Sequence, residues 1–324
     1  MNHWNWNRNG AATCDLNPVT FAPKMIFATI SISHPSTTFG AYPQPALVSN
    51  GRAYPLPFRD MHEVIRVGRD EAASRASKES FAIEEVNFHA PLKPVTLRDA
   101  YAFEQHVKTA NQNRGREVPP EWYKFPIFYF TNHNSIFGPG EVIPYPHYTS
   151  ALDFELEIAV VIGRPGINIQ PENAHKHIFG YTIFNDWSAR DMQREEMKAG
   201  LGPAKGKDFA SSLGPVIVTP DALADKAESR PGVYDLTMTA KVNGVEMSRG
   251  NLKDIFWSFG EIIARASDSC ELQAGDVIGS GTVGTGCLLE LTKTQGPWLN
   301  EGDVVELEIE RIGILKNIVG GKKV

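Results

Sequence analysis

Cysteine is scarce in this chain. Cys14, Cys270 and Cys287 are three in number and widely spaced, so they form neither a CxxC pair nor a secreted disulfide framework. That usage fits a reducing cytoplasm, where we expect the protein to reside. No apolar run approaches the roughly 20 residues needed to cross a bilayer. Positive charge is not in excess: 32 Lys and Arg stand against 38 Asp and Glu, a net charge of −6. Nucleic acid and anionic membranes, which recruit a positive field, are therefore disfavoured partners. Internal repeats, low-complexity tracts and a basic-then-apolar signal sequence are also missing. What is present is ordinary globular composition, 42% hydrophobic and 22% charged. The length suits one large domain, or a main domain with a smaller one attached.

Residues 1–24 are rich in Asn and Trp and show neither helical nor alternating periodicity, so they read as an extension ahead of the fold. Ordered structure is expected from about Met25, with Ile26–Ile30 as a first strand and a small amino-terminal domain over 25–95. Within it, Asn50-Gly51 between two short apolar stretches signals a hairpin, and Asp60–Ser80 reads as helical and exposed. Pro91 and Pro94 punctuate a linker. The remainder, 96–324, reads as β-rich α+β. Leu152–Gly163 alternates and then turns wholly apolar, as a strand buried on both faces does. Further strands are expected at Tyr181–Asn185, Pro215–Thr219, Leu236–Val242, Asp276–Gly279, Leu288–Leu291 and Val304–Ile309. Ser188 with Asp191 resembles a capping box that would start a helix over Ala189–Lys198.

Glu155 and Glu157, two apart on a strand, would project from one face. Two carboxylates that close repel unless a cation lies between them, and a hard divalent metal suits such an oxygen pair. A solvated strand face is the commoner reason for a Glu-x-Glu, but this pair adjoins a core run. Asp186 sits at a strand end ahead of a helix, and Arg190 and Gln193 share a helix face able to address an anion. Asp99 and His106, seven apart, would lie two helical turns apart on one face, with the imidazole a natural general base. Lys207 lies in a Gly-bearing loop without a phosphate-loop pattern. Gly279–Gly286 is a glycine-rich turn whose amides can approach a ligand. With Leu288–Leu291 expected as strand, the bare GxGxxG there lacks the context of a dinucleotide site.

Taken together, Glu155-Leu156-Glu157, Asn185–Gln193 (NDWSARDMQ), Gly206-Lys207, and Gly281-Thr282 with Leu289-Glu290-Leu291 resemble, in order, the hallmark segments of the fumarylacetoacetate hydrolase family. The resemblance covers about residue 96 to the end. It implies a mixed β-roll catalytic domain with a smaller amino-terminal domain, assembled as a homodimer. It also implies a divalent metal, Mg²⁺ before Mn²⁺ or Ca²⁺, held by Glu155, Glu157 and Asp186, with Asp99 contributed as in the longer members. The carried-over catalytic residues are His106, Glu290 and Lys207. Arg190, Gln193, Tyr101, Tyr129, Gly281 and Thr282 carry over as substrate-binding residues. The implied activity is hydrolysis of a C–C bond in a 1,3-diketone or 2,4-dioxo acid by His106-activated water. The same platform also supports decarboxylation, hydration or isomerisation of a keto/enol acid, or silent ligand binding. Met197 stands where the fumarylacetoacetate enzyme has a tyrosine, and Tyr129–Asn132 lacks its arginine. These departures point to an acylpyruvate or another 2,4-dioxo acid as the small-molecule partner.

Overall fold

The computed structural model describes residues 4–6, 12–14, 25–32 and 42–322. Trp4–Trp6 and Ala12–Cys14 pair as a short antiparallel ribbon; the rest of the expected 1–24 extension lies outside the described residues. The large sheet runs, in spatial order, through Phe81–Ala82, Arg52–Pro55, Gln44–Ser49, Ile26–Ile32, Ser211–Val218, Ile178–Asp186, Glu157–Ile162, Val277–Gly279, Leu97–Ala100 and Phe128–Thr131. Strands from 25–95 thus extend the same sheet as those of the remainder. A second sheet of five strands is built from Val142–Tyr145, Gly313–Lys322, Val304–Ile309, Thr237–Val242 and Val245–Asn251.

Period-2 alternation explains how the sheet divides its side chains. Along Glu157–Ile162, Ile158, Val160 and Ile162 join one core with Met238, Leu307 and Leu315 of the second sheet. Ala159 and Val161 point the other way, into a core with Phe27, Phe184, Leu213 and the helical residues Met61, Val64 and Ile65. This strand is buried on both faces, as its wholly apolar run implies. The Asn50-Gly51 hairpin closes Gln44–Ser49 onto Arg52–Pro55 in the expected place. The chain is a mixed, strand-rich fold.

Several local expectations are corrected. The Asp60–Ser80 segment forms two helices, Met61–Val67 and Arg69–Ser74, separated at Gly68. Their apolar faces are buried, so the segment is not simply exposed. The long strand from Leu152 breaks: Leu152–Asp153 pairs with Ser188–Ala189, and the ladder resumes only at Glu157. Glu155 therefore stands on irregular backbone, held by a bond from its N–H to the Asn185 side-chain oxygen at 2.9 Å. Asp99 is on the strand Leu97–Ala100, and His106 is on the helix Glu104–Gln112, so no shared helix face relates them. Ser188 caps nothing: its hydroxyl turns back to the Asp186 carbonyl, and the helix begins at Arg190 without a side-chain cap. Leu288–Leu291 is a helical turn rather than a strand. The cause is distant in sequence, because the Asp153 carboxylate accepts the Leu288 and Leu289 N–H groups at 2.8 and 3.0 Å and so caps that turn.

Phe27 is fully buried and its ring lies 5.2 Å from Phe179, joining the amino-terminal strand to the sheet's central strands. Phe27→Ala should cost about 3–5 kcal/mol in urea denaturation, the range for a large aromatic removed from a core. A loss well under 1 kcal/mol would show that Ile26–Ile32 unfolds independently.

Candidate active site

Three strands of the large sheet, two of them separated by Val277–Gly279, bring acids to one edge by the same device. Leu97, Ala159 and Phe184 lie in the core under the helices; Asp99 and Asp186 stand two residues after Leu97 and Phe184, and Glu157 two before Ala159, on that same face. The strands' directions place all three carboxylates at one end. Leu97–Ala100 runs parallel to Val277–Gly279, Glu157–Ile162 runs antiparallel to it, and Ile178–Asp186 reverses again. Between them sits Gly279, where a Cβ would come within 2.5 Å of Asp99 Oδ1 and 2.7 Å of the Phe184 ring. The absence of a side chain there is what lets Asp99 reach its neighbours. Glu155 joins from the irregular segment, and one oxygen each of Asp99, Glu155 and Asp186 lies within 4.8 Å of the others.

The remaining predicted residues surround this cluster. Lys207, from the Gly206 loop, places Nζ 2.5 Å from Glu155 Oε2 and 2.8 Å from Asp186 Oδ2. The Tyr129 hydroxyl donates to Asp186 Oδ2. The Gly281 N–H is shared between Asp99 Oδ1 and Glu157 Oε2 at 3.1 Å each, and the Thr282 hydroxyl donates to Glu157 Oε1 at 3.3 Å. Gly281 has φ +78, and a Cβ there would meet the Ala100 carbonyl at 2.6 Å, so the amide's approach depends on glycine. The expected close backbone approach is thus made to carboxylates. Arg190 is buried with Nε 2.7 Å from Asp153 and Nη2 2.8 Å from Glu155, while Nη1 donates to Gln193 at 3.1 Å.

Next to this cluster, His106 Nδ1 lies 2.8 Å from Glu290 Oε2, with the carboxylate off the N–H line, so the close approach is not a hydrogen bond. Glu290 is anchored by the Thr285 N–H on its other oxygen at 3.2 Å. The Tyr101 ring packs edge-on to the imidazole at 5.3 Å. Asp153 was missed from sequence, although it precedes Glu155 and Glu157 at the same spacing of two. A cavity of about 450 Å³ borders Arg190 and is lined also by Arg114, Arg116, Arg194 and Lys198. These cations are scattered over two segments, and no sequence pattern joins them.

Burial sets the electrostatics. Asp99 is pushed up to about 8, by burial first and then by the Asp186 charge. Glu157 rises well above the carboxylate range for burial and for its neighbour Asp99, and burial raises Asp186 against the pull of Lys207. Burial also pushes Glu155 upward, but Lys207, Arg190 and His106 together outweigh it and hold Glu155 below its ordinary value. Asp186 Oδ1 is buried without a hydrogen-bond partner. An unpartnered carboxylate oxygen among acids whose ionisation is opposed by burial and then by one another's charge fits a hard divalent cation such as Mg²⁺, Mn²⁺ or Ca²⁺. Asp99, Glu155 and Asp186, with Glu157 beside them, are the residues that could hold it.

The sign of the pH effect follows. Between the ordinary carboxyl value of 3.8 and about 8, native Asp99 carries a proton that the unfolded chain has released. Its contribution to stability is present at low pH and is lost as pH rises through that window. A bound cation reverses the loss, because it requires the ionised form. The melting-temperature difference between Mg²⁺ and EDTA should therefore widen from about pH 5 to about pH 8. A constant difference would separate Asp99 from the cation. Gly279→Ala should weaken Mg²⁺ or Mn²⁺ binding by at least about tenfold, in the manner of a displaced ligand. Unchanged affinity in calorimetry would show that Asp99 is not needed.

Among the described residues no helix is long and apolar enough to cross a membrane. Residues 96–320 match the fumarylacetoacetate (FAA) hydrolase C-terminal family model. The chain is similar to oxaloacetate tautomerase YisK of Bacillus subtilis, 30% identical over 278 residues, covering 84% of this chain and 85% of that one. It is also similar to fumarylacetoacetase of Arabidopsis thaliana, 32% identical over 258 residues, but this covers 65% of the chain and 61% of the relative. Among solved structures, a fumarylacetoacetate hydrolase from Exiguobacterium antarcticum superposes with a TM-score of 0.71 at 27% identity, over 92% of this chain and all of the other. With the carboxylate edge, Lys207 and the His106–Glu290 pair in place, the chain belongs to the fumarylacetoacetate hydrolase family.

Proposed function

We propose that this protein is a metal-dependent enzyme that interconverts the keto and enol forms of a short β-keto dicarboxylic acid of the oxaloacetate type. The observation that carries this reading is the cation-lined cavity, which shares Arg190 with the carboxylate edge. Arg114, Arg116, Arg194 and Lys198 suit a substrate whose far end is also anionic, through charge-assisted bonds. A relative that matches over most of both chains is named an oxaloacetate tautomerase, which supports the same reading.

A divalent cation held by Asp99, Glu155, Glu157 and Asp186 would supply a Lewis acid that favours the enolate over the keto form. The chain's own groups handle the proton. His106 removes it from the carbon between the two carbonyls, and the proton returns at the carbonyl oxygen. Glu290, fixed by the Thr285 N–H, places its charge 2.8 Å from the imidazole, and Tyr101 packs against the ring. Lys207, buried and raised in pKa against the opposing effect of burial by Asp186 and Glu155, stays charged and stabilises negative charge that develops on the substrate.

A second reading is favoured by the His106–Glu290 pair itself, since an imidazole backed by a carboxylate also suits activation of water. Directed at water, it would give C–C hydrolysis of an acylpyruvate or other 2,4-dioxo acid; the Arabidopsis and Exiguobacterium proteins are named for hydrolysis of fumarylacetoacetate.

The two readings separate in one assay. Freshly dissolved enol-oxaloacetate and a panel of acylpyruvates are followed in the ultraviolet with Mg²⁺ or Mn²⁺, and products are identified by NMR. Metal-dependent ketonisation without cleavage supports the tautomerase, and pyruvate plus a free acid supports the hydrolase. His106→Ala should lower kcat by about 10²–10⁴-fold, the range for a general base. Arg194→Ala with Lys198→Ala should raise KM for dicarboxylates by about tenfold and leave monocarboxylates unchanged. Equal effects on both classes would remove the cavity from substrate binding.

A further inference from the structure

Beside the carboxylate edge lies a second group of ligating atoms with different chemistry. One ligand atom each from His106, Cys287 and Glu290 lies within 4.8 Å of the others, and all three side chains are at least nine-tenths buried. Glu290 Oε1 is taken by the Thr285 N–H, which leaves Oε2 facing both His106 Nδ1 at 2.8 Å and Cys287 Sγ at 3.5 Å. The thiol is a weak donor at this distance, and Nδ1 is buried with no hydrogen-bond partner.

We propose that His106, Cys287 and Glu290 form a binding site for a soft divalent cation, Zn²⁺, distinct from the oxygen-only site at the carboxylate edge. The donor set of one nitrogen, one sulfur and one carboxylate oxygen is a zinc set, whereas Mg²⁺ and Ca²⁺ take oxygen. Bonds of about 2.0 Å to nitrogen and oxygen and about 2.3 Å to sulfur place tetrahedral donors some 3.3–3.7 Å apart. The Sγ–Oε2 separation already meets this, and Nδ1 needs to withdraw by about half an ångström. Three protein ligands leave a fourth position for water. Burial, the first of several causes, pushes the Cys287 thiol up, so zinc enters by displacing its proton as metals do at thiol ligands. Because the ion would engage the lone pair of His106, occupancy switches off the general base while the carboxylate edge keeps its own metal. The binding claim stands apart from the assigned reaction; only the inhibition rests on His106 being the base.

The test uses full-length protein stripped with EDTA, supplied with Mg²⁺ to fill the carboxylate edge, and titrated with Co²⁺ as a spectroscopic stand-in for Zn²⁺. A thiolate-to-cobalt charge-transfer band should grow to one equivalent and vanish when Zn²⁺ is added. Cys270→Ser and Cys14→Ser should keep the band, and Cys287→Ser should lose it. Absence of the band in the wild-type protein overturns the proposal without recourse to any variant, as does its persistence in Cys287→Ser. In parallel, Zn²⁺ should inhibit Mg²⁺-supported turnover, and Cys287→Ser should need at least about tenfold more of it. A band without turnover of any keto acid upholds the zinc site and counts against the proposed function alone.

Discussion

Buried negative charge is the constraint on which the rest of this structure depends. Asp99, Asp153, Glu155, Glu157 and Asp186 are all at least nine-tenths buried, and among the described residues the cations that pair with them are Lys207 and Arg190. Ionising every one of these carboxylates together would carry a large desolvation and repulsion cost. The chain's own answer is to keep Asp99 and Glu157 protonated and to direct its cations to Glu155, Asp153 and Asp186. A divalent ion offers a different answer, because it repays the ionisation of several carboxylates at once. The edge is therefore a site whose charge is incomplete by construction.

Asp153 connects that edge to the His106–Glu290 pair. One of its oxygens holds Arg190, which in turn holds Glu155; the same carboxylate caps the helical turn Leu288–Leu291. That turn carries Glu290, and Glu290 faces His106. A single buried carboxylate thus fixes the imidazole relative to the acids, although the participating segments lie more than a hundred residues apart. Removing one partner of such a buried network leaves another charge uncompensated, which makes the network rigid. Rigidity of this kind suits a site that must keep a base, an anion cavity and a cation in register.

Much of the site was legible in the sequence because its residues fall in short, distinctive segments. Glu155-Leu156-Glu157, Asn185–Gln193, Gly206-Lys207 and Gly281-Thr282 all meet at one sheet edge, together with Asp99, His106 and Glu290. The two-sided burial of Glu157–Ile162 and the Asn50-Gly51 turn followed from apolar pattern and turn chemistry. Two of the misreadings share a cause: the Leu152–Gly163 strand breaks and Leu288–Leu291 is helical where partners far along the chain, Asn185 and Asp153, hold the local backbone. Local propensity does not contain that information. Asp153 and Cys287 escaped notice for the same reason, since their importance lies in contacts with Arg190, Leu288 and Glu290. The cationic cavity is assembled from Arg114, Arg116, Arg194 and Lys198, whose proximity is purely tertiary.

The proposed function rests on the carboxylate edge as a cation site, with Lys207 bridging Glu155 and Asp186 beside it. The most direct measurement is a crystal structure of the Mn²⁺-loaded protein with anomalous scattering recorded at the manganese edge. The expected result is one strong anomalous peak among Asp99, Glu155, Glu157 and Asp186, with Lys207 Nζ moved away from at least one of its two carboxylates. A peak elsewhere, or none at saturating Mn²⁺ with Lys207 still bridging Glu155 and Asp186, would contradict it.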